Sequence, residues 1–446
     1  MANDAIAAIA TPPGRGGIGI VRISGPHLGN MLRGLIANDV TPRRAARAGF
    51  QNADGGLIDQ GLVLYFPAPN SYTGEDVIEL QGHGGPVVLQ LLLQRCFELG
   101  ARIAEPGEFT KRAFLNDKLD LAQAESVADL IDASTAQAAR CALRSLQGEF
   151  SLQINAMVEA LTELRMLVEA TLDFPEEDVE LLDRGNAHPR LDHVRRQLMQ
   201  IIAASRQGRL LREGVQVVLA GQPNVGKSSL LNALAGVERA IVTELPGTTR
   251  DAIRETINLS GIPLHVIDTA GLRDPLDPVE KIGITKTWEA IGAADLVLWI
   301  SDATRKETQM TDPALAANLP AGTPQLHIVN KIDLLAVEPH RCTWPGAVEL
   351  TVSAKTGAGL DLLRSAMLEA VGWGGTGEGV FMARERHLQA LHTAASHLDL
   401  AVARTAELEL FAEELKLAQN ALASITGEVS ADDLLGKIFS HFCIGK

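Results

Sequence analysis

Short apolar runs interrupted by Pro, Gly and Asn characterise residues 1 to about 115. Such runs predict β-strands separated by turns. The predicted strands are Ile18–Ile23, Leu62–Phe66 and Val77–Leu80, and Pro86–Leu99 is predicted to be a helix with one apolar face. The pattern indicates an α/β or α+β domain.

After this first part the apolar spacing becomes helical, and Gly and Pro become rare. Three helical stretches are predicted over Leu119–Ser145, Phe150–Leu172 and Leu191–Leu211. Asp173–Asp178 interrupts the pattern between the last two. Residues 383–446 return to the same Ala- and Leu-rich helical spacing.

Between these helical blocks lie near-continuous apolar runs, which are typical of parallel strands buried on both faces. The runs are Val215–Ala220, Pro263–Ile267, Leu296–Ile300 and Gln325–Val329. A helix is predicted over Leu360–Val371, and the glycine-rich stretch Gly372–Gly377 is predicted to be a linker.

Helices therefore flank an α/β segment on both sides. Two arrangements are open: one helical domain with the α/β segment inserted into it, or two separate helical domains. We favour the insertion because each helical block alone lacks partners for its apolar faces. The predicted domain boundaries are 1–117, 118–212, 213–373 and 374–446.

The composition narrows the class of protein. A chain of 446 residues is too long for one hydrophobic core, and its 46% hydrophobic and 21% charged residues are ordinary for globular proteins. The net charge of −15 argues against general coating of nucleic acid but allows a local basic site. Four distant cysteines without a CxxC pair argue against a disulfide framework or zinc site, and no run approaches the ~20 apolar residues of a membrane helix. With no basic residue before the short apolar stretch near its start, the chain is expected to be cytoplasmic.

Two glycine-rich motifs differ in their context. Gly14–Gly19 matches G-x-G-x-x-G, but it opens a predicted strand, whereas a dinucleotide site requires a following helix. We expect a flexible loop near a binding or dimer surface instead. Gly221–Ser228 matches G-x-x-x-x-G-K-S, directly follows a predicted strand and precedes a predicted helix. This context predicts a phosphate-binding loop in which Lys227 reaches the β- and γ-phosphates and Ser228 binds Mg²⁺.

Three further motifs follow the loop in order and, with a polar stretch that precedes them, predict binding of a guanine nucleotide. Asp268–Gly271 comes after one apolar run, where its Asp can serve the magnesium shell. Asn330–Asp333 comes after another, and Asp333 can accept hydrogen bonds from both N–H groups of guanine. Ser353–Lys355 can support the base, and Gly247–Asp251 is a polar stretch whose Thr249 can reach Mg²⁺. Together these motifs predict a GTP-binding domain.

The residues for hydrolysis differ from those of Ras-like enzymes, which orient water with a Gln soon after the DTAG-type motif. This chain has Leu272 and Arg273 there. Glu280 is the nearest candidate to orient water, and the alternative is a solvated helix charge. Asn224 is a candidate ligand of a monovalent cation, and the alternative is a plain turn residue.

The sequence resembles the MnmE (TrmE) family of tRNA-modification GTPases over essentially its full length. The motifs that carry the resemblance are TPPGRGGIGIVRISG, YTGEDVIELQGHGG, PGEFTKRAFLNDKLDLAQAE, LDFPEED, GQPNVGKSSLLNAL, GTTRD, DTAGLR and FCIGK. The resemblance implies a multidomain α/β plus all-α fold. Its parts would be an N-terminal α+β folate-binding domain, a helical domain, and a Ras-like P-loop GTPase domain with a mostly parallel sheet, inserted into the helical one.

The resemblance also implies an activity. A homodimer formed through the N-terminal domains would act with an FAD-dependent partner of the GidA (MnmG) type. Together they would add a carboxymethylaminomethyl or aminomethyl group to C5 of the wobble uridine, position 34, of certain tRNAs. GTP hydrolysis would be activated by potassium, and 5-formyl- or 5,10-methylene-tetrahydrofolate would be the one-carbon cofactor.

Family roles are implied for the positions that match the motifs. The implied potassium ligands are Asn224, Thr243, Leu245 and Thr248, and the implied magnesium ligands are Ser228 and Thr249. Glu280 matches the catalytic glutamate, and the implied folate-binding residues are Arg22, Glu79, Lys118 and Lys446. The full set of predicted GTP-binding residues is Asn224, Val225, Gly226, Lys227, Ser228, Ser229, Thr243, Glu244, Leu245, Pro246, Gly247, Thr248, Thr249, Asp268, Thr269, Ala270, Gly271, Asn330, Lys331, Asp333, Ser353, Ala354 and Lys355.

Some alternatives stay open at this point. Cys443 fails as a lipidation box and is either an inert thiol or, by the resemblance, a catalytic residue of the modification chemistry. The arginines between 190 and 212 are either a tRNA docking strip or a solvated helix face. The protein as a whole can instead be a ribosome-assembly switch of the Era or Der kind, or a folate-dependent protein with a purely regulatory GTPase domain.

Overall fold

The structure of the chain is a computed structural model that describes residues 4–173, 187–236, 253–268, 288–305, 313–344, 347–375, 380–428, 432–440 and 442–445. It contains two compact units. One comprises residues 1–128, 151–158 and 419–446, and the other comprises residues 129–150 and 159–418. The four domain boundaries given above stay a prediction. Within the described ranges, no helix is both long and apolar enough to cross a membrane.

A mixed six-stranded sheet dominates the first part of the chain. Its elements are β1 Ile6–Ile9, β2 Gly16–Gly25, α1 Gly29–Leu35, β3 Ala46–Gln51, β4 Leu57–Phe66, β5 Asp76–Gly84, α2 Pro86–Glu98, β6 Arg102–Ile103 and α3 Glu108–Leu115. The strand order is β3-β4-β5-β2-β1-β6, and only the β1–β6 pair is parallel among these described strands. The predicted strands, the helix and the α+β class are confirmed.

The Gly14–Gly19 motif lies mainly in this sheet. The motif does not lead directly into a helix, which argues against a dinucleotide site. The prediction of a flexible loop is wrong for Gly16–Gly19, which form the start of β2. Gly16 and Gly19 belong to β2 and pair with β5 on either side of a register shift. A Cβ atom at Gly19 would lie 2.6 Å from the side chain of Leu89 in α2. Glycine at this position therefore lets α2 pack closely on the sheet.

The described residues that follow contain four helices: α4 Leu121–Asp132, α5 Ala136–Leu146, α6 Glu149–Asp173 and α7 Ala187–Glu213. The stretch predicted to be helical over 119–145 is divided in two. Thr135 caps α5 because its side-chain oxygen accepts a hydrogen bond from the backbone N–H of Ala138 at 3.1 Å, so the chain must leave the helical conformation before it.

The α/β segment contains β7 Val215–Ala220, α8 Lys227–Ala235, β8 Ile253–Leu259, β9 Ile262–Asp268, β10 Leu296–Asp302, α9 Pro313–Asn318, β11 Gln325–Asn330, β12 Arg341–Trp344, β13 Ala347–Thr351 and α10 Leu360–Ala370. Its seven strands are ordered β12-β13-β11-β10-β7-β9-β8, with antiparallel pairing only for the two described edge strands. Every residue of β10 is buried, as expected for a central parallel strand. The predicted mostly parallel sheet is confirmed.

The remaining helices are α11 Glu385–Ala403, α12 Leu408–Thr426 and α13 Asp432–Ser440. Helices before and after the α/β segment pack on one another. Arg209 of α7 binds Glu385 of α11 at 2.8 Å, and the rings of Phe150 and Phe381 lie 5.5 Å apart. This packing confirms the insertion of the α/β segment into one helical domain.

The buried carboxylate of Asp129 binds one residue at each end of the inserted segment. Asp129 of α4 is only 7% exposed. Its Oδ1 accepts from Arg212 Nε at 2.9 Å and from Arg384 Nη2 at 2.8 Å. The chain enters the α/β segment just after Arg212 and continues into α11 just after Arg384.

The predicted linker over Gly372–Gly377 is wrong in its first half. Trp373 is 8% exposed and belongs to the core of the α/β segment, with its backbone N–H bonded to the carbonyl of Leu368 at 2.8 Å. The side-chain amide of Gln207 binds the backbone of Gly372 and Gly374. Burial of the indole therefore holds in place a stretch whose glycine-rich composition suggests a flexible backbone. Residues 376–379 lie outside the described part of the chain.

Candidate functional site

The loop between β7 and α8 requires glycine at both ends. Gly221 has φ +145° and Gly226 has φ +99°. A Cβ atom at Gly221 would lie 2.2 Å from the carbonyl of Ile300, and one at Gly226 would lie 2.4 Å from Nδ2 of Asn330. Only glycine fits these positions, and the resulting loop at a helix N-terminus has the form of an anion-binding nest.

The side chains predicted to contact phosphate and metal surround this loop. Lys227 Nζ donates to the carbonyl of Gly221 at 2.6 Å, so the ammonium group lies across the loop. Ser228 and Ser229 are exposed in the first turn of α8. Asn224 is exposed and has a left-handed backbone, with φ +65°. This donor set fits a bound polyphosphate with its metal ions.

Asn330, the last residue of β11, joins the phosphate-binding loop to Ser353–Lys355, the segment predicted to support the base. Its Nδ2 donates to the carbonyl of Val225 at 2.9 Å, and its Oδ1 accepts from the N–H of Ala354 at 3.0 Å. The side chain is 2% exposed, so both bonds are sheltered from water. Two motifs more than a hundred residues apart are thereby held in one arrangement.

Asp333 is oriented by the segment that follows β13. The hydroxyl of Ser353 donates to Asp333 Oδ1 at 2.6 Å and accepts from the N–H of Thr356 at 3.2 Å. Ser353 is fully buried, whereas Asp333 and Lys355 are exposed. An exposed, oriented carboxylate is what recognition of the paired N–H donors of guanine requires.

Sequence reasoning missed Asp302, the last residue of β10. Lys331 Nζ donates to Asp302 Oδ2 at 2.6 Å and also to the carbonyl of Asn224 at 2.6 Å. The hydrogen bond from Lys331 outweighs burial and lowers the pKa of Asp302 to about 2. The position of Asp302 in the sequence could have indicated that it lies near the site, because it follows an apolar run just as Asp268 and Asn330 do. The carboxyl ends of parallel strands lie at the same edge of a sheet, so residues that follow such runs come close together.

The remaining predicted nucleotide residues are only partly described. Asp268 ends β9, and its backbone lies beside Leu219 of β7, next to the strand that leads into the phosphate-binding loop. Outside the described part of the chain lie Glu280, Thr243, Glu244, Leu245, Pro246, Gly247, Thr248, Thr249, Thr269, Ala270 and Gly271.

A second candidate site lies in the N-terminal sheet. Arg22 of β2 and Glu79 of β5 are directly opposite each other, and Glu79 Oε1 accepts from Arg22 Nε at 3.0 Å and lies 2.9 Å from Arg22 Nη2. The guanidinium carbon of Arg22 lies 5.8 Å from the ring centres of both Tyr72 and Phe109. A polar pair bordered by aromatic rings suits a heterocyclic ligand.

The last residues of the sequence reach this pair. The carbonyl of Gly445 accepts from Arg22 Nη1 at 3.4 Å. Gly445 has φ +97°, and a Cβ atom there would lie 2.5 Å from the carbonyl of Ile9. Cys443 is exposed, and its backbone carbonyl accepts from the N–H of Gly107 at 3.4 Å. Lys446 lies outside the described residues.

Lys118 borders the loop that carries Tyr72. A Cβ atom at Gly74 would lie 3.2 Å from Cε of Lys118, and Asn116 Nδ2 donates to the carbonyl of Thr73 at 2.7 Å. The structure therefore brings Lys118 to the same region as Arg22. The N-terminal site assignments stay predictions, as do those of the nucleotide site.

A network of buried charged side chains binds the loop that carries Tyr72 and Glu75. Arg112 is 5% exposed and binds Asp4, Glu75 and Glu108 at 3.0 Å each. Burial raises the pKa of Glu108, but hydrogen bonds, first of all from Arg102, more than offset this and hold the pKa below its ordinary value. Since Glu75 belongs to the loop, the network restrains the position of the neighbouring aromatic residue.

Four of the six arginines between 190 and 212 have acidic partners on neighbouring helices. Arg195 binds Asp399, Arg209 binds Glu385 and Arg212 binds Asp129. Arg190 lies 3.6 Å from Glu163. These four side chains connect helices, which neither alternative predicted, whereas Arg196 is exposed, as the solvated helix face predicts.

Comparison with known proteins adds two family models. The model "GTP-binding protein TrmE N-terminus" matches residues 5–118, and "MnmE helical domain" matches residues 121–443. The second match begins before the α/β segment and ends after it, in agreement with the insertion.

Several relatives match over the full chain. The chain is 61% identical over 443 residues to "tRNA modification GTPase MnmE" of Azoarcus sp. (strain BH72), covering 99% of this chain and 98% of the relative. It is 58% identical over 468 residues to the protein of that name from Cupriavidus metallidurans, with 99% and 98% covered. The identity to the one from Nitrosomonas europaea is 59% over 449 residues, with 100% and 99% covered.

Proposed function

The chain belongs to the MnmE family of tRNA modification GTPases, and we propose that it is a potassium-activated GTPase that drives modification of C5 of the wobble uridine in tRNA. The observation that carries the proposal is the double role of Asn330. Its side chain joins the phosphate-binding loop to the segment that orients Asp333, which produces a site for a guanine nucleotide.

Nucleotide binding follows from the side chains described. Asp333 accepts hydrogen bonds from N1–H and the 2-amino group of guanine, while Ser353 holds the carboxylate in place. When the nucleotide binds, the Lys227 ammonium leaves the Gly221 carbonyl and binds the β- and γ-phosphates instead. Ser228 and Thr249 would hold Mg²⁺, which neutralises phosphate charge when it is bound.

Hydrolysis requires a group that orients water and positive charge near the leaving phosphate. Glu280 is proposed to orient the water. Asn224, Thr243, Leu245 and Thr248 would hold K⁺, which supplies that positive charge when it is bound. The exposed side chain of Asn224 fits this role.

The N-terminal site is proposed to bind 5-formyl- or 5,10-methylene-tetrahydrofolate, the source of the one-carbon unit. Glu79 offers an acceptor to an aminopyrimidine ring, while Arg22, Lys118 and Lys446 supply positive charge for the carboxylates of such a ligand. Cys443, exposed at the same end of the sequence, is a candidate catalytic residue of the modification chemistry. A homodimer, an FAD-dependent GidA/MnmG-type partner, tRNA as substrate and a cytoplasmic location complete the proposal.

The potassium requirement is tested by GTPase assays of the full chain in KCl and in NaCl. We expect the rate in KCl to exceed that in NaCl by about tenfold or more, since ~1.4 kcal/mol of transition-state stabilisation corresponds to a factor of ten. Asn224→Ala should remove the difference, whereas Asn232→Ala, on the exposed face of α8, should retain it. Equal wild-type rates in the two salts would contradict potassium activation.

The folate and tRNA parts need separate tests. Calorimetric titration with 5-formyl-tetrahydrofolate should show binding that Arg22→Ala abolishes and that Arg33→Ala, an exposed control on α1, leaves intact. Mass spectrometry of tRNA from a deletion strain should show wobble uridine without its C5 substituent. Absence of folate binding would favour a switch without one-carbon chemistry, and a fully modified wobble uridine would exclude the modification function.

A further inference from the structure

The carboxylate of Asp302 is held by three donors. Oδ2 accepts from Lys331 Nζ at 2.6 Å, while Oδ1 accepts from the N–H and the hydroxyl of Thr304 at 2.9 and 2.7 Å. Asp302 is 4% exposed. Because it ends a fully buried central strand and accepts these three hydrogen bonds, this carboxylate is held in a defined position near the nucleotide site.

Lys331 connects this carboxylate to the phosphate-binding loop. Its backbone is left-handed, with φ +70°, and its Nζ donates at the same time to Asp302 and to the carbonyl of Asn224. A lysine side chain has large rotational freedom, which the ion pair with Asp302 restricts. Without that carboxylate, the ammonium group would lose its charged partner and would keep, of these two contacts, only the Asn224 carbonyl.

Asn224 is the residue that depends on this contact. A left-handed backbone is less favourable for asparagine than for glycine, although asparagine adopts it more readily than most residues, so contacts around Asn224 add to the stability of its φ of +65°. The Lys331 ammonium, which donates to the Asn224 carbonyl at 2.6 Å, is such a contact. The direction of the Asn224 side chain follows from its backbone conformation.

We propose that Asp302 is a positioning residue that, through Lys331, links recognition of the guanine base to the monovalent-cation site at Asn224. Lys331 lies two residues before Asp333, so base binding and cation binding depend on the same buried carboxylate. The cation part of this inference rests on the proposed potassium activation, whereas the part concerning nucleotide retention does not.

Asp302→Asn separates this role from a local structural one. The amide keeps Oδ1 as an acceptor for Thr304, but it places an NH₂ donor where Oδ2 accepted from Lys331. Thr304→Ala is the matched control, because it removes the hydroxyl bond to Asp302 and leaves the ion pair with Lys331 intact.

The measurements are the KCl concentration for half-maximal GTPase activity and the dissociation rate of a fluorescent GDP analogue. In Asp302→Asn both should rise by about tenfold, the effect of losing one hydrogen bond between charged groups. The maximal rate at saturating KCl and GTP should change little, and Thr304→Ala should leave both quantities within about twofold of wild type. Wild-type values for both quantities in a folded Asp302→Asn protein would overturn the proposal.

Lys331→Gln provides an independent arm, because it should raise both quantities even if Asp302→Asn does not fold. Where Asp302→Asn folds, adding it to Lys331→Gln should have no further effect, since the two residues act as one unit. Additive effects would show that Asp302 acts independently of Lys331. A wild-type protein equally active in KCl and NaCl would reject potassium activation itself, while GDP dissociation would still decide the role of Asp302.

Discussion

Exchange of Asp333 for Asn should change the preferred base from guanine to xanthine. Guanine presents two donors, N1–H and the 2-amino group, to the two carboxylate oxygens. The hydroxyl of Ser353 donates to Oδ1 at 2.6 Å, so the amide of the variant should place its oxygen there and its NH₂ group at the other position. That NH₂ group opposes the 2-amino group of guanine but matches the carbonyl at C2 of xanthine.

The magnitude follows from the two bonds concerned. A hydrogen bond to a charged group contributes about 1.5–3 kcal/mol. In the variant the bond from N1–H loses its charged acceptor, and the bond from the 2-amino group is replaced by two N–H donors that face each other. Because Asp333 is exposed and water competes for it, we take about 3–4 kcal/mol in total. At ~1.4 kcal/mol per factor of ten, GDP should bind on the order of 10²–10³-fold more weakly.

The assay is titration of the wild type and of Asp333→Asn with fluorescent GDP and fluorescent xanthosine diphosphate. Asp361→Asn is the control, because the side chain of Asp361 is 97% exposed on α10. The variant should prefer the xanthosine nucleotide and the control should prefer GDP. If folded Asp333→Asn binds GDP within about threefold of wild type, the assignment of Asp333 to base recognition is refuted.

Three further substitutions test the packing. Gly226→Ala should abolish nucleotide binding in a filter-binding assay without loss of helical circular dichroism, because its Cβ would lie 2.4 Å from Asn330; retained affinity would contradict this steric reasoning. Asp129→Ala removes the buried carboxylate that Arg212 and Arg384 share and should lower the free energy of unfolding in urea by about 2–4 kcal/mol, whereas exposed Asp132→Ala should cost less than about 0.5. Because the pKa of Glu108 is lowered in the folded state, its stabilisation is present above the unfolded pKa and lost as pH falls through the folded pKa. Thermal melts in acid should show this loss for the wild type and a flatter pH dependence for Glu108→Gln; identical slopes would show that the network adds no pH-dependent stability.

Local patterns predicted much of the fold because they depend on short-range chemistry. The apolar run of β10 reads as a buried parallel strand, and all of its residues are buried. The glycines at 221 and 226 were recognised by their spacing, which reflects a backbone that only glycine adopts. The same kind of reasoning failed at Gly372–Gly374, because composition indicates flexibility but cannot show that Trp373 is buried in the core.

The candidate sites show the same division. Asp333 was predicted from its motif to recognise the base, which stays a prediction. The motif order suggested only that Ser353–Lys355 supports the base, whereas the structure shows that the Ser353 hydroxyl donates to Asp333. Asp302 carries no motif, so its role became visible only when β10 and β11 were placed side by side. The pairing of Arg22 with Glu79 likewise depends on strand register, which turn and pairing geometry determine.

The sequence by itself therefore determined the order of elements, the class of each part, the family and the guanine-nucleotide motif, since each is written in residues near one another along the chain. Tertiary structure decided which distant groups meet: Asp129 with the arginines at both ends of the insertion, Gly445 with Arg22, and Asp302 with Lys331. Contacts between residues tens to hundreds of positions apart leave no local periodicity. They follow only from strand order, helix packing and the burial of charge, which forces each buried ionised group to find a partner.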